Sequence, residues 1–291
     1  MNISALKKKS SMDKLTKALE GLSGGTTSKN GADTRLWSAQ VDKAGNGYAV
    51  IRFLDSPQVD GEDGMPWVQI FNHGFQGPGG WLIDNCLTSI NQKCPVCEHN
   101  SALWNSGIEA NKEIVRKQKR KLTYIANILV VKDAAQPENE GKVFLYKFGK
   151  KIFDKVKEKI EPQFEDEKAI NPFNFWEGAN FKLKIRQVEG YRNYDKSEFD
   201  TVSAVADGDD DEIEKIWKAA YSLKEFLKPS EFKTYDELKT KLTRVLGGGS
   251  DYKPRHKNVE EAGQEIDEVV ADPTSASDDD ALSYFNKLAA E

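Results

Sequence analysis

Residues 46–54 read Asn46-Gly47-Tyr48-Ala49-Val50-Ile51-Arg52-Phe53-Leu54. Asn-Gly tolerates the left-handed dihedrals of a tight turn, and the residues after it are rich in β-branched and aromatic types, so the segment reads as a strand entered through a turn. Segments 67–72, 123–132, 142–148 and 180–187 have the same character. Five or more strands separated by turn signals, with few long helices between them, predict a mainly β chain with added helices. They favour a small antiparallel barrel or sandwich over a doubly wound sheet, and an OB-type barrel fits the count. Helical periodicity marks 151–160 and 212–227, where Ile213, Ile216, Trp217, Ala220, Tyr221 and Leu223 form one apolar face; both read as core-packing helices. The acidic run 207–212 lacks the alternating ligands and closing Glu of a calcium loop.

The chain has 291 residues, 38% hydrophobic and 31% charged. It contains no run of about 18 apolar residues that would span a bilayer, and no apolar stretch follows Lys7-Lys8-Lys9 to make a signal peptide, so the chain is expected in the cytosol with no membrane partner. The net charge of −5 is unevenly spread: residues 258–291 hold ten acids against one base, Lys287, and a tail of −9 in a chain of −5 leaves the body at +4. An acidic tail on a basic body either solubilises the protein or competes with a polyanion for the basic surface. Residues 1–20 alternate apolar and basic positions as a short basic helix would, and the glycines and hydroxyls of 21–28 read as a flexible linker. Three segments follow: a basic arm at 1–22, a core at 23–249, and an acidic tail at 250–291 expected to be disordered.

Cysteines occur only at Cys86, Cys94 and Cys97, an odd, clustered set that argues for a metal rather than disulfides. With His73 they supply four nitrogen and sulfur ligands, enough for one structural zinc in a subdomain at about 67–110. Two residues between Cys94 and Cys97 make a knuckle that turns both thiolates to one ion, and Gly74, Gly77, Gly79 and Gly80 let the chain loop from His73 to Cys86. His99 is the alternative fourth ligand. A deaminase would need a His-x-Glu, but Gly74 and Phe75 follow His73, and four protein ligands leave no open position for an activated water.

Arg116-Lys117-Gln118-Lys119-Arg120-Lys121 runs directly into the strand containing Tyr124. Cations that neutralise phosphates beside aromatic faces that stack on any base are what sequence-independent single-strand binding requires. Lys142, Tyr146, Lys147, Lys150 and Lys151 repeat the mixture, as do Tyr191, Arg192 and Tyr194. Each taken singly is also consistent with a solvated basic face or a core tyrosine. A zinc enzyme and a zinc scaffold that binds only proteins are the rival readings; three scattered histidines without a paired carboxylate speak against the enzyme.

Several segments in order resemble the gene thirty-two helix-destabilising family, the single-stranded DNA-binding proteins of T-even bacteriophages. They are Lys7-Lys8-Lys9-Ser10-Ser11, the 46–54 stretch, Asn72-His73-Gly74-Phe75, Cys94-Pro95-Val96-Cys97, 126–133, 137–144, 148–152 and 176–181. The resemblance implies an OB-fold with a zinc subdomain, and its zinc ligands fall on His73, Cys86, Cys94 and Cys97. Its DNA cleft residues fall on Arg52, Arg120, Tyr124, Tyr146, Tyr191 and Tyr194. Between Cys97 and Arg116, where the family supplies further cleft tyrosines, this chain has His99, Trp104 and Val115, and its loop from Cys86 to Cys94 is shorter. By the same resemblance Lys7, Lys8, Lys9, Ser10 and Ser11 contact a neighbouring copy and make binding cooperative. The resemblance also implies that the acidic tail recruits phage replication, recombination and repair proteins in the cytoplasm of the infected bacterial host, and that the protein is no enzyme.

Overall fold

Alternation along the opening stretch sets the first buried face. In the computed structural model, which describes residues 33–248, Gly47–Phe53 forms strand β2, following the two-residue β1 (Leu36–Trp37). Its inward residues Ala49, Ile51 and Phe53 are fully buried, as the period of two requires. The other strands are β3 (Trp67–Gly77), β4 (Gly80–Asn85), β5 (Lys121–Lys132), β6 (Val143–Phe148), β7 (Ala179–Val188), β8 (Tyr191–Asn193) and β9 (Glu198–Val202). Among the described residues five α-helices join them: α1 (Pro95–Asn105), α2 (Glu109–Gln118), α3 (Lys150–Ile160), α4 (Asp210–Lys218) and α5 (Tyr235–Val245). The chain is therefore mainly β with added helices. No helix among the described residues is long and apolar enough to cross a membrane.

The pairs β2–β5, β2–β7, β3–β4, β3–β5, β5–β6, β7–β8 and β7–β9 are antiparallel, and β5 is the hub. Along one edge β5 pairs first with β3, through Lys121 to Ala126, and then with β2, through Ile128 to Lys132; its other edge pairs with β6. A long strand that changes partners along its length is how a sheet turns a corner. The path β1-β6-β5-β2-β7-β8 does not return on itself, so its hydrogen bonds do not define a closed barrel.

The main core is aromatic. Phe53 lies within ring contact of Phe148, Phe173, Phe181 and Phe199, and Trp67 packs against Phe153 and Phe173. Such rings favour offset or edge-on geometry because their faces are negative and their edges positive.

The helical reading of 212–227 needs correction. α4 stops at Lys218, and only a short 3₁₀ turn, Lys224–Leu227, follows. The break has a physical cause: Asn127 on β5 donates to the Tyr221 carbonyl and accepts from its N–H, both at 2.9 Å, while buried Asp60 accepts from the N–H groups of Leu223 and Lys224. Side chains thus satisfy the backbone that a helix would otherwise have to satisfy. The acidic run at 207–212 has its own explanation, because Asp209 caps α4 by accepting from the N–H groups of Asp211 and Glu212.

Candidate metal centre and nucleic-acid surface

His73 sits within β3, Cys86 immediately follows β4, Cys94 is the N-cap of α1, and Cys97 lies in that helix's first turn. Pro95 starts the helix at a position where no N–H is needed, so the knuckle and the helix begin together. The four ligand atoms lie within 4.8 Å of one another and all four residues are buried. Cys86 Sγ is 3.5 Å from Cys97 Sγ, and His73 Nε2 is 3.5 Å from Cys94 Sγ and 3.7 Å from Cys97 Sγ. Tetrahedral zinc with ordinary bond lengths places sulfurs about 3.8 Å apart and sulfur about 3.5 Å from nitrogen. The donors therefore fit the ion, and Nε2 is the nitrogen that faces it. His99 stands outside this group.

The charge of the cluster points the same way. Without a metal, burial works to lower the His73 pKa, but hydrogen bonds with Cys86 and Cys94 prevail and push it up to about 9. Hydrogen bonds from Cys94 and Cys97 hold the Cys86 thiol far below its usual range. Hydrogen bonds with Cys86 and Cys94, together with burial, push the Cys97 thiol far above its usual range. His73 Nδ1 has no protein partner although it is buried.

Three of the residues expected in a DNA cleft are buried. Arg52 has no exposed surface, and its guanidinium donates to the carbonyls of Asn174 (2.7 Å) and Ser203 (2.9 Å). Burial pulls its pKa down to about 10, which leaves it charged at neutral pH. Strand alternation turns Arg52 away from the main core, but the 174–178 loop covers that face too; Gly178 lies so close that a Cβ there would meet Arg52 Nη2 at 2.7 Å. Tyr124 and Tyr146 are 5% and 6% exposed. Both stack in a ladder through Phe148, with centroids 5.7 and 5.5 Å from it, and Tyr124 also stacks on Phe153.

The basic run is distributed over two elements and a turn. Arg116 and Lys117 end α2, where cations complement the helix dipole, and Lys121 opens β5. Arg116 pairs with Glu109 at 3.1 Å and with Glu113. Its guanidinium and the Lys112 ammonium each lie 5.9 Å from the ring centre of Trp104 on α1. Arg120 lies over the Phe71 ring at 4.0 Å and donates to Thr88 Oγ1 at 2.7 Å, which ties the run to the strand before His73 and the turn after Cys86. Lys119, Arg120 and Lys121 are partly exposed. Tyr191 is 54% exposed at the β7–β8 hairpin, with Arg192 beside it, while Tyr194 packs partly against the core. Lys7, Lys8, Lys9, Ser10 and Ser11 and the acidic tail lie outside the described residues.

Reading by spacing overlooked α5, which supplies Leu238, Leu242 and Val245 to the apolar cluster that contains all three cysteines. A signal was present in Thr234-Tyr235-Asp236-Glu237, the pattern of a reciprocal helix cap, and both of its hydrogen bonds form.

A mainly β protein with a buried four-ligand histidine and cysteine centre, and a cationic run beside that centre, is the class this fold and site define. A family model described as gp32 DNA binding protein like matches residues 45–246. The chain is 40% identical over 275 residues to the single-stranded DNA-binding protein of Enterobacteria phage T2, covering 91% of this chain and 88% of that protein. Against the single-stranded DNA-binding protein of Enterobacteria phage T4 it is 40% identical over 261 residues, with 86% and 84% covered. The chain belongs to the gp32 DNA-binding-protein-like family.

Proposed function

We propose that this chain binds single-stranded DNA without sequence preference and coats it cooperatively during phage replication, recombination and repair, as a binding protein rather than an enzyme. The observation that carries the reading is the likeness to single-stranded DNA-binding proteins along nearly the whole chain, not in one motif. The β core is read as an OB-type barrel, with β5 as the strand that turns its corner. Arg116, Lys117, Lys119, Arg120 and Lys121 take phosphates, and exposed Tyr191, with Tyr194, offers a ring on which a base of any identity can stack. Tyr124, Tyr146 and Arg52 act from beneath, holding the strands and loops that present those groups.

One zinc ion, held by His73, Cys86, Cys94 and Cys97, supplies structural cross-linking and no chemistry, because four protein ligands complete its tetrahedron. Residues 1–22 are read as the arm that contacts a neighbouring copy through Lys7, Lys8, Lys9, Ser10 and Ser11. Residues 250–291 are read as the acidic tail that recruits replication, recombination and repair proteins in the cytoplasm of the infected bacterial host.

Quenching of intrinsic fluorescence during titration with oligothymidylate at several salt concentrations, before and after zinc removal, tests the reading. Strong, salt-sensitive quenching that is cooperative on long strands and weakened by chelation is the expected result. A folded, zinc-loaded sample that shows no quenching at low salt overturns it.

A further inference from the structure

The metal centre is held from a distance in the chain. Residues 229–246 follow the cysteines by more than a hundred positions, yet Phe232, Leu238, Leu242 and Val245 pack in one cluster with Cys86, Cys94, Cys97, Phe75, Leu82, Leu87 and Val96. The polar ties converge on residues next to the ligands. Glu98, directly after Cys97, accepts a 2.6 Å hydrogen bond from Tyr235 Oη. Asn85, directly before Cys86, donates to the Glu231 carbonyl at 3.2 Å. Asp84 pairs with Lys233 and Lys241, and Gly79 N–H donates to the Val245 carbonyl at 2.9 Å. A Cβ at Gly77 or Gly79 would overlap the Val245 or Arg244 carbonyl, so the β3–β4 turn is shaped to receive the end of α5.

We infer that α5 is a structural part of the metal centre, with Tyr235 and Glu98 as positioning residues for the Cys94–Cys97 knuckle, so that loss of the metal releases α5. The inference rests on the metal reading of the four-residue cluster. An isolated helix of eleven residues is marginal in water, and the buried residues of α5 all face this cluster. Ligand residues gathered in a small subdomain draw their folding energy from the ion. Once the ion leaves, the buried thiols and imidazole lose their common partner, the knuckle opens, and α5 loses the surface that makes it a helix. Coupling is reciprocal: whatever holds α5 in place also holds the metal. The chain leaves α5 at Gly247 beside Pro78 of the β3–β4 turn.

Hydrogen exchange read by mass spectrometry on the full chain, zinc-loaded and chelator-stripped with metal content measured on both, tests this. Peptides covering 229–246 should lose protection together with those covering 86–105, by at least about tenfold in exchange rate, while β7 and β9 keep theirs. Protection of 229–246 that survives verified loss of the metal overturns the coupling. A protein that carries no zinc and takes none up overturns the metal reading itself, and metal analysis identifies that case before any exchange is read. Tyr235→Phe keeps the ring and removes only the bond to Glu98. It should speed zinc transfer to a chelator roughly threefold to tenfold, the worth of one hydrogen bond, and an unchanged rate counts against Tyr235 as a positioning residue.

Discussion

Tyr124 of β5 and Phe153 of α3 stack face to face, with ring centroids 3.9 Å apart and planes 7° from parallel. That contact, continued through Phe148 to Tyr146, makes Tyr124 a packing residue first. Removing a buried aromatic ring costs about 3–5 kcal/mol, so Tyr124→Ala should lower the melting temperature by roughly 6–20 °C in a domain of this size. Tyr124→Phe keeps the ring and should stay within about 1.5 kcal/mol of the parent. Thermal melts beside titrations with single strands separate the roles: an Ala variant that melts like the parent but binds weakly would contradict the ladder.

Arg52 and Arg120 should part company in the same way. Arg52 donates to the carbonyls of Asn174 and Ser203 from a fully buried position, whereas Arg120 is partly exposed at the end of the basic run. Arg52→Leu removes the guanidinium from the Ser203 carbonyl and leaves the Asn174 carbonyl only the Gly178 N–H, and it should cost about 3 kcal/mol in urea unfolding, with the salt dependence of DNA binding unchanged. Arg120→Ala should flatten the plot of log affinity against log salt by about 0.7, the contribution of one phosphate contact on a single strand. A change of slope in the Arg52 variant would return that residue to the binding surface.

The forked pair of Arg186 and Asp195, bonded through Nε to Oδ1 at 2.9 Å and through Nη2 to Oδ2 at 2.5 Å, makes a pH prediction. The Arg186 hydrogen bonds hold the Asp195 carboxyl down to about 2. A depressed carboxyl stabilises the fold fully above its unfolded value of about 3.9, and that contribution fades as pH falls through the folded value. Being exposed, the pair contributes little to stability. Carboxyl carbon NMR should show Asp195 titrating near 2 in the parent and within the ordinary range in Arg186→Gln; equal values in both proteins would mean that the fork is absent in solution.

What the sequence disclosed follows from the range of each interaction. β2, β5 and β7 are legible because a run of β-branched and aromatic residues is a property of neighbours in the chain, and the cysteine pair because a knuckle needs only two intervening residues. The burial of Arg52 was not legible because the 174–178 loop that covers it lies more than a hundred residues away, and alternation says nothing about what covers a face. Tyr124 and Tyr146 sit beside cations in sequence, but their burial depends on Phe148 and on Phe153 from α3. The glycines of the 74–80 stretch were read as freedom to loop; at Gly77 and Gly79 the structural demand is room for α5. Helix α5 announced its start through Thr234 and Glu237, but nothing local to it said that its partner would be the metal centre.

Asn127 offers the sharpest case of a long-range polar residue with a measurable role. It is fully buried, and its amide grips both backbone groups of Tyr221 at 2.9 Å. Asn127→Ala removes both of these bonds, which costs about 1–3 kcal/mol for each. Asn127→Asp can still accept from the N–H, but it puts a charge at a fully buried site and opposes the carbonyl, so at neutral pH it should cost at least as much as Ala. Asp60 holds the next two N–H groups of the same segment, so the double variant Asn127→Ala with Asp60→Asn should cost less than the sum of the single losses. Once one clamp is gone, 221–224 is already partly free and the second has less to hold. Strict additivity in urea unfolding would mean that the two clamps hold independent pieces of chain and that 212–227 is broken for some other reason.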